Sequence, residues 1–142
     1  GGELKEWLGR RCAEANCATN ISLLGLVSES EKRWLFENGT AVVIPSRFEG
    51  LPTVLLESMH AGKPVIMADV SGLGSLLTES GAGIAIPPED SASLASTMDD
   101  VALSSRRVLD EWGAKGRIAS KEYLWSSVVD RILEVYRKVS SD

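Results

Sequence analysis

AVVIPSRFEGLPTVLLESMHAGKPVIMA, residues 41–68, is the stretch that decides the fold. Ala41-Val42-Val43-Ile44 is an unbroken apolar run, the pattern of a strand buried on both faces of a parallel sheet, and Pro45 ends it. Pro52 has the fixed φ and missing N–H that suit the first position of a helix. That helix is predicted to reach His60 or Ala61, where Gly62 closes it and Pro64 bars continuation. Val65-Ile66-Met67-Ala68 then reads as a second buried strand.

Outward from this unit the alternation continues. Leu4, Trp7, Leu8, Arg11 (by its stem), Cys12 and Ala15 recur at helical spacing and predict an amphipathic helix over about 2–16. Residues 21–24 read as a short strand ended by Gly25. Ser28 and Glu31 form a capping box for a helix over about 29–37 that stops at Asn38-Gly39. A glycine-bearing loop and a short helix near 73–79 lead to a strand at Ile84-Ala85-Ile86. Asp90 caps a helix near 91–103, a longer helix follows near 105–119, and Ser126 starts the last one. Its apolar face is Val128, Val129, Ile132, Leu133 and Tyr136. Strands alternating with helices define an α/β class, a Rossmann-like parallel sheet with helices on both faces and right-handed crossovers.

At 142 residues the chain is one domain, with ordinary globular fractions of 44% apolar and 25% charged residues. A net charge of −5 without a basic stripe argues against nucleic acid and against an anionic membrane surface. No apolar run approaches the roughly 18 residues of a membrane span. Cys12 and Cys17 are read as two free structural thiols on one helix, which fits a cytoplasmic, reducing setting. Trp7, Trp34, Trp112 and Trp125 are expected in core or inter-domain packing. A start at Gly1-Gly2 fits an excised piece of a longer chain.

In such sheets ligands sit beyond the carboxyl ends of the strands, here residues 25–27, 45–51, 69–74 and 87–90. The helix after Pro52 exposes unpaired N–H groups and the positive end of its dipole, which suits an anion. Glu49 stands just before that helix and Glu57 inside it, eight residues on. Carboxylates on both sides of an anion site suit a diphosphate that carries hydroxyls on both sides, which describes a nucleotide sugar. Leu51, Thr53 and Val54 can offer backbone N–H groups to the phosphates, and Gly50 permits close approach. Thr53, Glu57 and His60 share one helical stripe, with Val54, Leu55 and Met59 expected to face the sheet. His60, the single histidine, is read as structural. No Ser-His-Asp set, zinc spacing, Walker loop or dinucleotide fingerprint is present.

Ser46 to Glu57, followed by Gly62-Lys63-Pro64-Val65-Ile66, resembles the donor-binding signature of the retaining family-4 glycosyltransferases of the two-domain GT-B fold. Residues 21–27 and 81–90 are similar to further parts of the same family. Two positions depart from it: Ser75 stands where a Glu is usual, and Pro52 where many members have Gly. The resemblance implies the C-terminal, nucleotide-sugar-binding half of a GT-B enzyme, with an acceptor-binding N-terminal domain and a basic phosphate clamp lying elsewhere. It assigns Glu49 to the donor sugar, Glu57 to the ribose hydroxyls and Val27 to the base edge through backbone groups, with Lys32 a weaker candidate nearby. Gly72 and Gly74 belong to a loop at the same rim, with turn formation the competing reading. The implied activity is hexosyl transfer with retention, in polysaccharide or glycoconjugate synthesis, without a metal or cofactor. The implied partners are a nucleotide sugar and the N-terminal domain. The 142-residue chain alone is expected to be inactive. Location is expected to be cytoplasmic, with attachment to the inner membrane through the other half left open. A nucleotide-sugar epimerase of the same fold and a non-catalytic interaction module remain as alternatives.

Overall fold

The computed structural model describes residues 3–15, 17 and 19–140. The chain divides into two compact units, residues 1–35 and 36–142.

The first unit carries helix α1 (Lys5–Glu14) and the start of α2 (Glu29–Asn38). The predicted ends of α1 at Gly2 and Asn16 fall outside the described residues. Cys17 lies beyond the end of α1, not on it, and its Sγ donates to the Cys12 carbonyl at 3.3 Å. Both thiols are free, and burial pushes the Cys12 thiol upward, with Cys17 adding to the effect. Residues 21–24 do not form the expected strand: they have no ladder partner, and Ile21, Leu23 and Leu24 are exposed. An apolar tetrapeptide is only a candidate strand until a neighbour accepts its N–H groups. The capping box is present: Ser28 N–H donates to Glu31 Oε2 at 2.7 Å, and Glu31 N–H to Ser28 Oγ at 3.3 Å. The Ser28 hydroxyl, which also donates to Glu31 Oε2 at 2.7 Å, and after it the Ser28 N–H hold the Glu31 carboxyl below its ordinary range.

The second unit holds a three-stranded parallel sheet in the order β1 (Val42–Ile44), β2 (Val65–Ala68), β3 (Gly83–Ile86). Helix α3 (Thr53–Ala61) joins β1 to β2, and α4 (Leu73–Ser80) joins β2 to β3. Then come α5 (Ser91–Leu103), α6 (Arg106–Ser120), a 3-10 turn (Lys121–Tyr123) and α7 (Trp125–Val139). Register pairs Val43 with Ile66 and Ile66 with Ile84.

β2 is buried at every residue, because both of its faces are covered. Val65 and Met67 join Leu55 and Met59 of α3 and Leu77 of α4 in one core. Ile66 points the other way, to Val101 and Leu94 of α5 and Leu109 and Trp112 of α6. Each fully buried side chain of this kind contributes about 1.5–3 kcal/mol. The alternation gives the layer order helices, sheet, helices that the apolar runs predicted.

α3 and α6 approach closely through glycine. A Cβ on Gly113 would strike the Gly62 carbonyl oxygen, and one on Gly116 would press the Met59 backbone and Ala82. Gly62 ends α3 in the left-handed region at φ 72°, as predicted for a C-terminal glycine.

Of the four tryptophans, one lies in a core. Trp112 packs in the second core, whereas Trp7, Trp34 and Trp125 are exposed. The predicted apolar face of α7 is also largely open: Val129, Ile132, Leu133 and Tyr136 are exposed and Val128 is half-buried. Among the described residues, no helix is long and apolar enough to cross a membrane.

Candidate functional site

Because the three strands are parallel, the chain leaves all of them along one edge of the sheet. Residues 45–52, 69–72 and 87–90 therefore share a carboxyl-end rim from which α3, α4 and α5 start.

The three helix starts differ. Asp90 caps α5, its Oδ1 accepting from the Ala92 and Ser93 N–H groups at 3.1 and 2.9 Å, while Ser93 Oγ donates to Oδ2 at 2.6 Å. These bonds, the Ser93 hydroxyl first, hold the Asp90 carboxyl below its ordinary range. At α4 a carboxylate arrives from upstream: Asp69 Oδ1 accepts from the Gly74 N–H at 2.9 Å. A Cβ at Gly74 would overlap that carboxyl, so a side chain there would displace Asp69 from its bond. The loop between them is tight, with Ser71 at φ 55° and Gly72 at φ 74°. α3 has no side-chain cap. Pro52 is its N-cap, extended at ψ 122°, one place earlier than predicted, and the Leu55 N–H makes the first turn's bond to the Pro52 carbonyl at 3.0 Å. The Thr53 and Val54 N–H groups precede that bond. Two rim helices thus carry their own anion, and the third presents its positive end without one.

Glu49 lies in the loop leading to this terminus, half-buried, and Ser46 Oγ donates to its Oε1 at 2.6 Å. The hydroxyl fixes one carboxylate oxygen and leaves Oε2 for a further donor. Glu57 sits in the second turn of α3, half-buried. Leu55 and Met59 face the core as expected, but Val54 does not: it is 37% exposed, at the solvent-facing first turn with Thr53. A residue in a first turn overhangs the sheet edge, so helical phase alone misplaces it. Buried Ser58, which phase did not single out, satisfies its hydroxyl by donating to the Val54 carbonyl at 2.5 Å. Gly50 and Leu51 are exposed, and a Cβ on Gly50 would meet no atom within 4 Å. His60 is exposed in the last turn of α3.

The fold gathers Glu49, Gly50, Leu51, Thr53, Val54 and Glu57 around the start of α3. Val27 belongs to the other compact unit, as does Lys32, which pairs with Glu29 at 3.1 Å. Gly72 and Gly74 serve the turn into α4. Sequence reading missed Ser46 and Asp69. Ser-x-x-Glu before a helix and an Asp five residues ahead of Gly74 were the available signals. It also missed Arg47, whose Nε lies 3.6 Å from Glu89 Oε2, an exposed pair linking the loops after β1 and β3.

A Rossmann-like domain with an uncapped helix and two carboxylates at its strand ends belongs to the class that holds anionic ligands on the carboxyl edge. The chain belongs to the family Glycosyl transferases group 1, which it matches over residues 1–118. It is 28% identical to an uncharacterized glycosyltransferase of Methanocaldococcus jannaschii over 96% of this chain and 35% of that protein. It is 33% identical to the phosphatidyl-myo-inositol mannosyltransferase of Mycobacterium leprae over 86% of this chain and 33% of that one. Among solved structures, sucrose-phosphate synthase from Thermosynechococcus elongatus superposes with a TM-score of 0.84 and 22% identity, over 99% of this chain and 35% of that one, a likeness of fold. The chain spans about a third of the length of these curated relatives.

Proposed function

We propose that the carboxyl rim of the second unit is the donor site of a glycosyltransferase and holds a nucleotide-diphosphate sugar. The observation that carries this reading is the contrast among the rim helices. α4 and α5 are met by Asp69 and Asp90, whereas α3 starts without a side-chain cap between Glu49 and Glu57. The diphosphate takes the Thr53 and Val54 N–H groups, the place its carboxylate counterparts hold at the other two helices. Glu49, held by Ser46, accepts from hydroxyls of the transferred sugar. Glu57, one turn deeper along α3, accepts from the ribose.

In the transfer, the bond from the anomeric carbon to the diphosphate oxygen breaks and one from that carbon to the acceptor oxygen forms. The bonding pair leaves with the diphosphate, and the acceptor's proton passes to the departing phosphate oxygen. Attack on the face the leaving group vacates gives retention. Two effects lower the barrier: positioning by Glu49, and stabilisation of the negative charge that grows on the diphosphate at the α3 terminus. Further cations for the diphosphate, the acceptor site and the acceptor-binding domain are assigned to sequence beyond these 142 residues. Turnover by this chain alone is therefore not expected.

The test is a calorimetric titration of the chain with UDP, GDP, ADP and dTDP, repeated on Glu57→Gln. Saturable binding of one nucleotide, weakened about tenfold or more by loss of a charged acceptor, is the expected result. Equal binding by both proteins removes Glu57 from the site.

A further inference from the structure

A second charged cavity lies at the opposite end of the second unit, where α3 ends and β2 begins. It has a volume of about 160 Å³ and its lining includes Lys63, Arg106 and Arg117, Asp110, Thr40 and Gly62. Lys63 Nζ donates to the Glu37 and Gly39 carbonyls at 3.0 and 2.9 Å, at the end of α2. Arg117 Nη2 donates to the Ala61 carbonyl at 3.1 Å, at the end of α3, and its guanidinium lies where a Cβ on Gly62 would be. Arg106 Nε donates to Asp110 Oδ1 at 3.0 Å.

We propose that this cavity binds a phosphate group. Three cations converge on it with one lining carboxylate, so their charge exceeds their partners'. The helix-end carbonyls carry only about half an elementary charge per helix. Donors also remain: an ammonium has three N–H groups and a guanidinium five, and the bonds above use two of Lys63 and one of each arginine. Burial lowers the Lys63 ammonium's pKa, and Arg106 and Arg117 lower it further, outweighing Asp110 and Glu37, as crowded cations do. The space is smaller than the roughly 300–1,000 Å³ of drug-sized ligand pockets, so it suits one tetrahedral oxyanion or the phosphate end of a larger molecule. The polar lining and fork-shaped guanidiniums favour that geometry. Two sources share this chemistry, a soluble phosphomonoester and a phospholipid headgroup.

The experiment is an NMR titration of the chain with inorganic phosphate at ionic strength held constant with chloride, followed at the Thr40, Gly62 and Lys63 amides. A parallel arm uses vesicles containing phosphatidylglycerol. Saturable shifts that weaken about tenfold in Arg106→Gln and recover in part in Arg106→Lys are expected, in either arm, and the responding arm names the source. Arg106 is exposed, so its replacement leaves the fold intact. Glu57→Gln should leave these shifts unchanged, which separates them from phosphate at the α3 terminus. Shifts that chloride alone reproduces, that Arg106→Gln leaves untouched, or that appear in neither arm overturn the proposal.

Discussion

The two ends of the β2 unit are built on opposite plans. At the amino end, backbone meets backbone through Gly62 and Gly113, and Lys63 and Arg117 tie down the last carbonyls of α2 and α3. At the carboxyl end, loops carry positive-φ residues at Ser71 and Glu89, and Phe48 is 83% exposed. There the helix starts are met by carboxylates or, at α3, by no side-chain cap. At the amino end cations meet helix-end carbonyls and keep donors over for the cavity, whereas at the carboxyl end carboxylates meet helix-start N–H groups at α4 and α5. The comparison teaches that α3 is held at its far end by close backbone packing and by Arg117, while no side chain of its N-cap residue holds its start.

The largest effects, Met59→Ala above Gly113→Ala, should come from breaking the packing that fixes α3. Gly113→Ala places a methyl against the Gly62 carbonyl, a backbone group that cannot swing away, and is expected to cost at least about 1–3 kcal/mol. Urea unfolding monitored by circular dichroism measures it, and a loss under about 0.5 kcal/mol would mean that α3 and α6 separate easily. Met59→Ala, in the core beneath the same helix, should cost about 2–5 kcal/mol on the same assay.

At the open end, stability and binding should come apart. Glu49→Gln and Glu57→Gln are expected to change the unfolding midpoint little while weakening nucleotide-sugar binding about tenfold. Glu49→Gln should act on the nucleotide sugar and spare the nucleoside diphosphate. Calorimetry with both ligands checks this, and a matching loss for both would place Glu49 on the nucleotide.

Ser46→Ala sharpens the comparison with a smaller effect. Losing the hydroxyl that orients Glu49 should weaken sugar binding by less than Glu49→Gln does, with nucleotide binding unchanged. The smallest effect concerns the capped helix. The folded Asp90 pKa is depressed, so its cap contributes stability above the unfolded-state pKa of about 3.9 and loses it as pH falls through the folded value. Asp90→Asn should lower Tm slightly at pH 7, and the gap to the wild type should close below about pH 4. A gap that does not narrow at all as pH falls from 7 into the acid range would show that the cap does not act through its charge.

Much of the second unit was legible because its signals are local. Proline, glycine and unbroken apolar runs set β1, α3 and β2 to within a residue or two, and the Asp90 cap fixed α5. The first unit resisted the same reading. Residues 21–24 are as apolar as a strand, but pairing is a property of two segments, and the pattern of one does not supply the other. Trp125 and the apolar stripe of α7 are exposed, since periodicity shows that a face is apolar without showing what covers it.

By itself the sequence determined the α/β class, the full burial of β2 (β1, read the same way, is an edge strand half-buried at Val42 and Val43), and the carboxylate pair on either side of Pro52, because each depends on neighbours along the chain. Tertiary structure alone decided that Glu49 is held by Ser46, that Asp69 fills the start of α4 while α3 stays uncapped, and that Lys63, Arg106 and Arg117 meet around one cavity. The physical reason is reach. Dihedral preferences and hydrophobic period act over a turn or a strand, whereas a hydrogen bond or a cluster of charges depends on which side chains the packing of glycine against backbone brings within about 3–4 Å.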